Sequence, residues 1–127
     1  MKPEPDISIV FRPAKPGLEK FFGKLETLLM EITWAHHPLT VKRALYFLNK
    51  NNNYAYTTVM TVMNRLTDKN YLTRKKAGHS FRYSPTLGKK EFLEFAADKI
   101  ISELKRDFGD ISAPSTSRTK KKRRPGK

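Results

Sequence analysis

Thr57, Thr58, Thr61, Asn64 and Arg65 place three hydroxyls, an amide and a guanidinium on one short stretch, with no acid before Asp68. Groups of these types hydrogen-bond to base edges and phosphates, and a threonine methyl can meet a thymine methyl. Four apolar residues sort them in space. Val59, Val62, Met63 and Leu66 recur at i, i+3, i+4 and i+7, which makes one buried helix face and leaves the polar set pointing elsewhere. An ordinary solvated face favours Glu, Lys and Gln, whereas three threonines lower helix propensity with no structural gain. The pattern therefore predicts a helix over residues 57–69 whose outer face contacts nucleic acid.

A second set of donors follows at once. Leu72 to Lys76 and Phe81 to Ser84 flank Ala77, Gly78, His79 and Ser80, where Gly78 supplies turn freedom and Phe81 and Tyr83 alternate with polar neighbours. This reads as a hairpin that exposes Arg74, Lys75, Lys76 and Arg82, with His79 at its tip as a phosphate contact or a plain turn residue. A helix followed directly by a basic hairpin is the order of a winged helix. Upstream, Lys42 and Arg43 open a helix that helix-turn-helix docking lays across the DNA backbone, which makes Lys42 a phosphate contact. Tyr54 and Tyr56 stand before the third helix. Their hydroxyls reach phosphates, or their rings staple onto that helix's first turn.

Other chemistries find little support. The histidines are His36, His37 and His79, and none stands at a metal-ligand or triad spacing. His36 and His37 fall at a helix end, where a cation complements the dipole. The absence of cysteine excludes disulfides, thiolate metal sites and cysteine nucleophiles, and fits a reducing compartment. The expectation is a non-enzyme without metal or cofactor. With no apolar run near the roughly 18 residues of a membrane helix, and no secretory pattern around Pro3, Glu4, Pro5 and Asp6, it is also a soluble cytoplasmic chain without membrane insertion.

The formal charge of +14 and a pI near 10.1 call for a polyanionic partner, nucleic acid before an anionic membrane surface. Residues 111–127 hold Arg118, Lys120, Lys121, Lys122, Arg123, Arg124 and Lys127 without an acid, which is seven charges and half of the total. The body of the chain is thus basic without its tail.

The elements that must position these residues follow from periodicity. Residues 1–17 carry four prolines and a glycine and read as an extended arm with a short strand at Ile7 to Phe11, where Arg12 and Lys15 either touch DNA backbone or belong to a frayed end. Leu18, Phe21, Phe22, Leu25, Leu28, Leu29 and Ile32 keep a helical period, with Gly23 dividing a short opening turn from a helix over 24–36 that buries Trp34 near its end. Pro38 stops that helix. Thr40 caps a second one carrying Val41, Ala44, Leu45 and Leu48, which ends at Asn51, Asn52 and Asn53. Three helices sharing this pattern can pack around one core, so 18–85 is expected to form a winged-helix domain. Segment 86–108 holds a last helix, from about Lys89 to Phe108, that presents Phe92, Leu93, Ala96, Ala97, Ile100, Ile101, Leu104 and Phe108, a stripe that needs cover from a second copy of the chain or from the first helix. Residues 109–127 read as a disordered basic tail. The fold class is mainly α with a small β wing (α+β), a winged helix-turn-helix followed by a dimerisation helix.

At Leu25-Glu26, Trp34, Thr40-Val41, the run Tyr56-Thr57-Thr58-Val59-Met60-Thr61-Val62, Arg65-Leu66, Leu72 and Phe81-Arg82-Tyr83-Ser84-Pro85, the chain resembles the penicillinase-repressor family of bacterial transcription regulators, the BlaI, MecI and CopY type. The similarity covers about residues 22–105. It implies a dimeric winged-helix repressor of a nearby operon, with operator contacts from Thr57 to Lys69 and from the wing between Arg74 and Arg82. Copper-responsive members bind metal through a C-terminal cysteine cluster, and this chain has none. Members that respond to β-lactams are cut at an Asn-Phe bond by a membrane sensor-protease, the partner the resemblance implies. Here Phe92 follows Glu91 and Phe95 follows Glu94, so that bond is absent.

The resulting expectation is a homodimeric repressor that binds a two-fold symmetric operator on double-stranded DNA through the helix 57–69 and the wing 72–84. The alternative is an architectural winged-helix protein that coats DNA without sequence preference, in the manner of a linker histone. A third reading makes the winged helix a module of a larger assembly.

Overall fold

The computed structural model describes residues 5–109. A 3-10 turn, Gly17–Lys20, leads into α1 (Lys24–His36), α2 (Val41–Leu48) and α3 (Tyr56–Asp68), then strands β1 (Leu72–Ala77) and β2 (Ser80–Pro85), then α4 (Lys89–Phe108). Each boundary has a local cause. Gly23 caps α1, with its N–H donating to Glu26 Oε1 at 2.9 Å, and the Thr40 hydroxyl caps α2 by accepting from the Arg43 N–H at 3.1 Å. Asn70, at φ 69°, takes the left-handed conformation that turns the chain out of α3. Gly78, at φ 64°, does the same in the hairpin, where Ala77 pairs with Ser80 so that only Gly78 and His79 remain in the turn.

The chain divides into two units after Glu91. In the first, α1, α2 and α3 meet around Leu29, Met30, Val41, Ala44, Leu48, Val59, Val62, Met63 and Leu66, all buried, and the hairpin joins them through Leu72 and Tyr83. The buried Thr33 spends its hydroxyl on Leu29 O at 2.8 Å. The antiparallel pair β1–β2 is registered with Arg74 opposite Tyr83 and Lys75 opposite Arg82. An isolated bridge ties Leu39, just before α2, to Tyr83 through hydrogen bonds of 3.0 and 2.8 Å.

Two expectations for this unit change. Ile7 to Phe11 forms no strand, because no neighbouring strand pairs with it; side chains hold the arm instead. Asn70 Nδ2 donates to Asp6 O and the Tyr71 hydroxyl to Ser8 O, both at 2.7 Å, while Ile7 is buried and Phe11 stacks on Phe21. The arm is therefore anchored over these residues rather than frayed. Trp34 is half-buried rather than buried, and its indole N–H donates to Leu87 O at 2.9 Å.

In the second unit, α4 presents its apolar residues unevenly. Phe92 and Ala96, one turn apart, are buried, whereas Leu93, Ile101 and Leu104 are about 40% exposed and Phe108 is 72% exposed. Ala97 is exposed and Ile100 half-buried. Of the eight residues expected at a dimer interface, Phe92 and Ala96 are thus buried and Ile100 half-buried, while Leu93, Ala97, Ile101, Leu104 and Phe108 are exposed. The expected basic tail lies outside the described residues, apart from Gly109, whose N–H closes α4 on Lys105 O at 2.8 Å.

Candidate nucleic-acid interface

The buried face of α3 is Val59, Val62, Met63 and Leu66. Thr57, Thr58, Thr61 and Arg65 are consequently exposed on its outer sides, as the period requires. Along one flank, Tyr56, Met60 and Asn64 follow at i, i+4 and i+8 and line a cleft of about 420 Å³ between α3, the start of α2 and the wing. Lys42 enters this cleft from α2, and Arg74 and His79 from the hairpin. Three elements thus bring five of the expected residues together: Lys42, Tyr56, Asn64, Arg74 and His79.

The wing has two faces with different duties. On the cleft side Arg74 and Tyr83, paired across the strands, both reach Asn64 Oδ1 at 2.7 Å, and the Arg74 guanidinium lies 4.4 Å from the Phe81 ring centroid. Lys75, Lys76 and Arg82 line a separate recess beside Pro38. Lys75 and Arg82 stand directly opposite each other, exposed. Like charges in that position repel, and an anion laid across them relieves the repulsion.

Asn64 is half-buried, and sequence reasoning missed why. An apolar period orients a residue on its own helix but carries no information about a strand ten residues later. Met60 was missed too, although its spacing from Tyr56 was readable. On the outer face of α2, Arg43 lies over the Tyr46 and Phe47 rings at 5.1 and 4.8 Å, and His36 stacks on Phe47 at 3.9 Å. The helix-end histidine therefore packs against a ring in addition to facing solvent. Away from the cleft, burial pushes the Tyr71 phenol above its usual value, Glu26 adds to the rise and Arg12 opposes it. Among the described residues, no three His, Asp or Glu side chains gather where they could hold a metal ion, and no helix is long and apolar enough to cross a membrane.

Residues 22–120 match the family described as Penicillinase repressor, which is more than half of the chain. The chain belongs to the penicillinase repressor family. This member is 36% identical over 72 residues to the transcriptional regulator BlaI of Mycobacterium tuberculosis, a match that covers 56% of this chain and 52% of that protein. It is 23% identical over 79 residues to the penicillinase repressor of Bacillus licheniformis, covering 62% of each. It therefore spans about half the length of the mycobacterial relative it matches. The solution structure of the DNA-binding domain of the repressor BlaI is similar with a TM-score of 0.50 at 24% identity, over 55% of this chain and 85% of that one, which establishes the shared winged-helix fold.

Proposed function

We propose that this chain is a sequence-specific DNA-binding transcriptional repressor that acts as a cytoplasmic homodimer on a two-fold symmetric operator. The observation that carries this reading is the cleft in which Tyr56, Met60 and Asn64 of α3 meet Lys42 of α2 and Arg74 and His79 of the wing, on a helix whose Thr57, Thr58 and Thr61 are exposed. A helix whose outer face is Thr57, Thr58 and Thr61 fits the major groove, where hydroxyls serve either partner of a base pair. Lys42, Tyr56 and His79 flank it at positions suited to phosphates, which fix register without reading sequence. Lys75, Lys76 and Arg82 suit a second stretch of backbone, and there a phosphate removes the repulsion between the paired cations.

Dimerisation would use the exposed part of α4, namely Leu93, Ala97, Ile101, Leu104 and Phe108, with the half-buried Ile100 at its edge. Two copies related by a two-fold axis read a palindrome. Repression follows from occupying a promoter. Release by a membrane sensor-protease would need a scissile bond other than Asn-Phe.

Selection of duplexes from a random library by the full chain, followed by hydroxyl-radical footprinting, tests the reading. The expected result is an enriched palindrome protected on both half-sites. Retention of random DNA with no enriched sequence would instead support the architectural protein.

A further inference from the structure

The amide of Asn64 stands where a reading helix meets its wing, and its hydrogen bonds decide which it serves. An arginine can only donate, so the Asn64 atom 2.7 Å from Arg74 NH1 is the side-chain carbonyl oxygen. The same oxygen accepts from the Tyr83 hydroxyl at 2.7 Å, which occupies both of its lone pairs. Bidentate recognition of adenine needs that carbonyl to accept from the base while the amide donates. Asn64 cannot make such a contact without surrendering the wing.

The donors are themselves fixed. Arg74 and Tyr83 are cross-strand partners, so their side chains leave the same face of the hairpin and converge on one acceptor. The Arg74 guanidinium is steadied over Phe81, and Tyr83 is buried and bridged through its backbone to Leu39 at the start of α2. One oxygen thereby joins α3, both strands of the wing and, through Tyr83, the α2 end that carries Lys42.

We infer that Asn64, Arg74 and Tyr83 form a helix-to-wing clamp, in which Asn64 and Arg74 are positioning residues that set the wing against α3 and read no base themselves. The inference rests on the proposed DNA-binding function, but the clamp has consequences without DNA. Removing either partner loosens the polar tie between hairpin and helix and leaves the core face of α3 untouched, since Val59, Val62, Met63 and Leu66 take no part and Leu72 and Tyr83 stay packed.

The test is hydrogen exchange on the full chain without DNA, followed by footprinting on the duplex that the wild type enriches. In Arg74→Ala, amides between Arg74 and Tyr83 are expected to exchange about ten-fold faster, the scale of one lost charge-assisted hydrogen bond, and in Asn64→Ala, which also removes the Tyr83 bond, at least as fast, while α1 to α3 keep their protection. The double variant should exchange no faster than Asn64→Ala, because that substitution already removes the Arg74 bond together with the Tyr83 bond. Asn64→Asp should restore protection, since a carboxylate accepts from the same two donors. On DNA, Asn64→Ala should lose protection under the wing yet select the same bases as the wild type. Unchanged wing exchange in Asn64→Ala would overturn the clamp, as would a relaxed preference at one base pair with wing protection intact. If Asn64→Ala fails to fold, Arg74→Lys and Tyr83→Phe report the same exchange, and unchanged rates in both would overturn it equally. A wild type that enriches no sequence defeats the repressor reading alone, since the exchange data still decide the clamp.

Discussion

At the scale of single residues, Thr61 and Asn64 look alike in the sequence and act differently in the structure. Both lie off the apolar face of α3, yet Thr61 is exposed and Asn64 is half-buried under two donors from the wing. Tyr71 offers a separate test. Its hydroxyl holds the arm through Ser8 O, and its pKa is raised above 10.0, first by burial. The folded chain therefore keeps the phenolic proton more tightly than the unfolded chain. Stability from this group is complete below pH 10 and is lost as pH climbs from there through the raised folded value. Tyr71→Phe should cost about 1 kcal/mol near neutrality by deleting the bond, and should shed this part of the alkaline decline. Urea titrations of both proteins across the alkaline range would show it; parallel pH profiles would contradict it. The buried sides of the helices were legible because period alone fixes them. The clamp was not, because it depends on strand register, and Tyr71 was not, because its partner is a backbone carbonyl 63 residues away in the chain.

At the scale of elements, the order of three helices, hairpin and final helix was readable, and α1 and α4 fall where the apolar period places them. The arm departed from expectation for a physical reason. Ile7 to Phe11 has residues that suit a strand, but an extended segment becomes one only when another strand pairs with it, and here Asn70 and Tyr71 satisfy its carbonyls instead. The wing's turn depends on Gly78 at φ 64°, where a Cβ would meet no neighbour but the backbone conformation itself is costly for other residues. Gly78→Val should destabilise the hairpin by roughly 1 to 2 kcal/mol, and wing amides should then exchange faster than those of α3. Equal protection in both proteins would refute this. On DNA, Lys75→Ala and Arg82→Ala should weaken binding to every duplex alike, each flattening the log-log salt slope by roughly 0.9. A loss confined to one sequence would mean that this face of the wing reads bases.

At the scale of the whole molecule, a dimer is expected from α4, whose exposed Leu93, Ile101, Leu104 and Phe108 leave apolar surface that a second copy can cover. Ile101→Asp with Leu104→Asp should give a folded monomer by sedimentation, with weaker binding to a two-fold site and little change on a half-site. A wild type that sediments as a monomer at micromolar concentration would remove the dimer. On the proposed function, the basic residues from Arg118 onward should add phosphate contacts without base readout, so deleting 111–127 should weaken specific and random duplexes by similar factors. Sequence reading by the outer face of α3 is tested best by Thr61→Ala, an exposed substitution outside both the core and the clamp. Its affinity for the enriched duplex and for a scrambled duplex of the same composition should be measured at two salt concentrations. Thr61→Ala should lose about 1 to 3 kcal/mol on the enriched duplex and almost nothing on the scrambled one. Equal loss on both would contradict it, because Thr61 would then touch only the backbone.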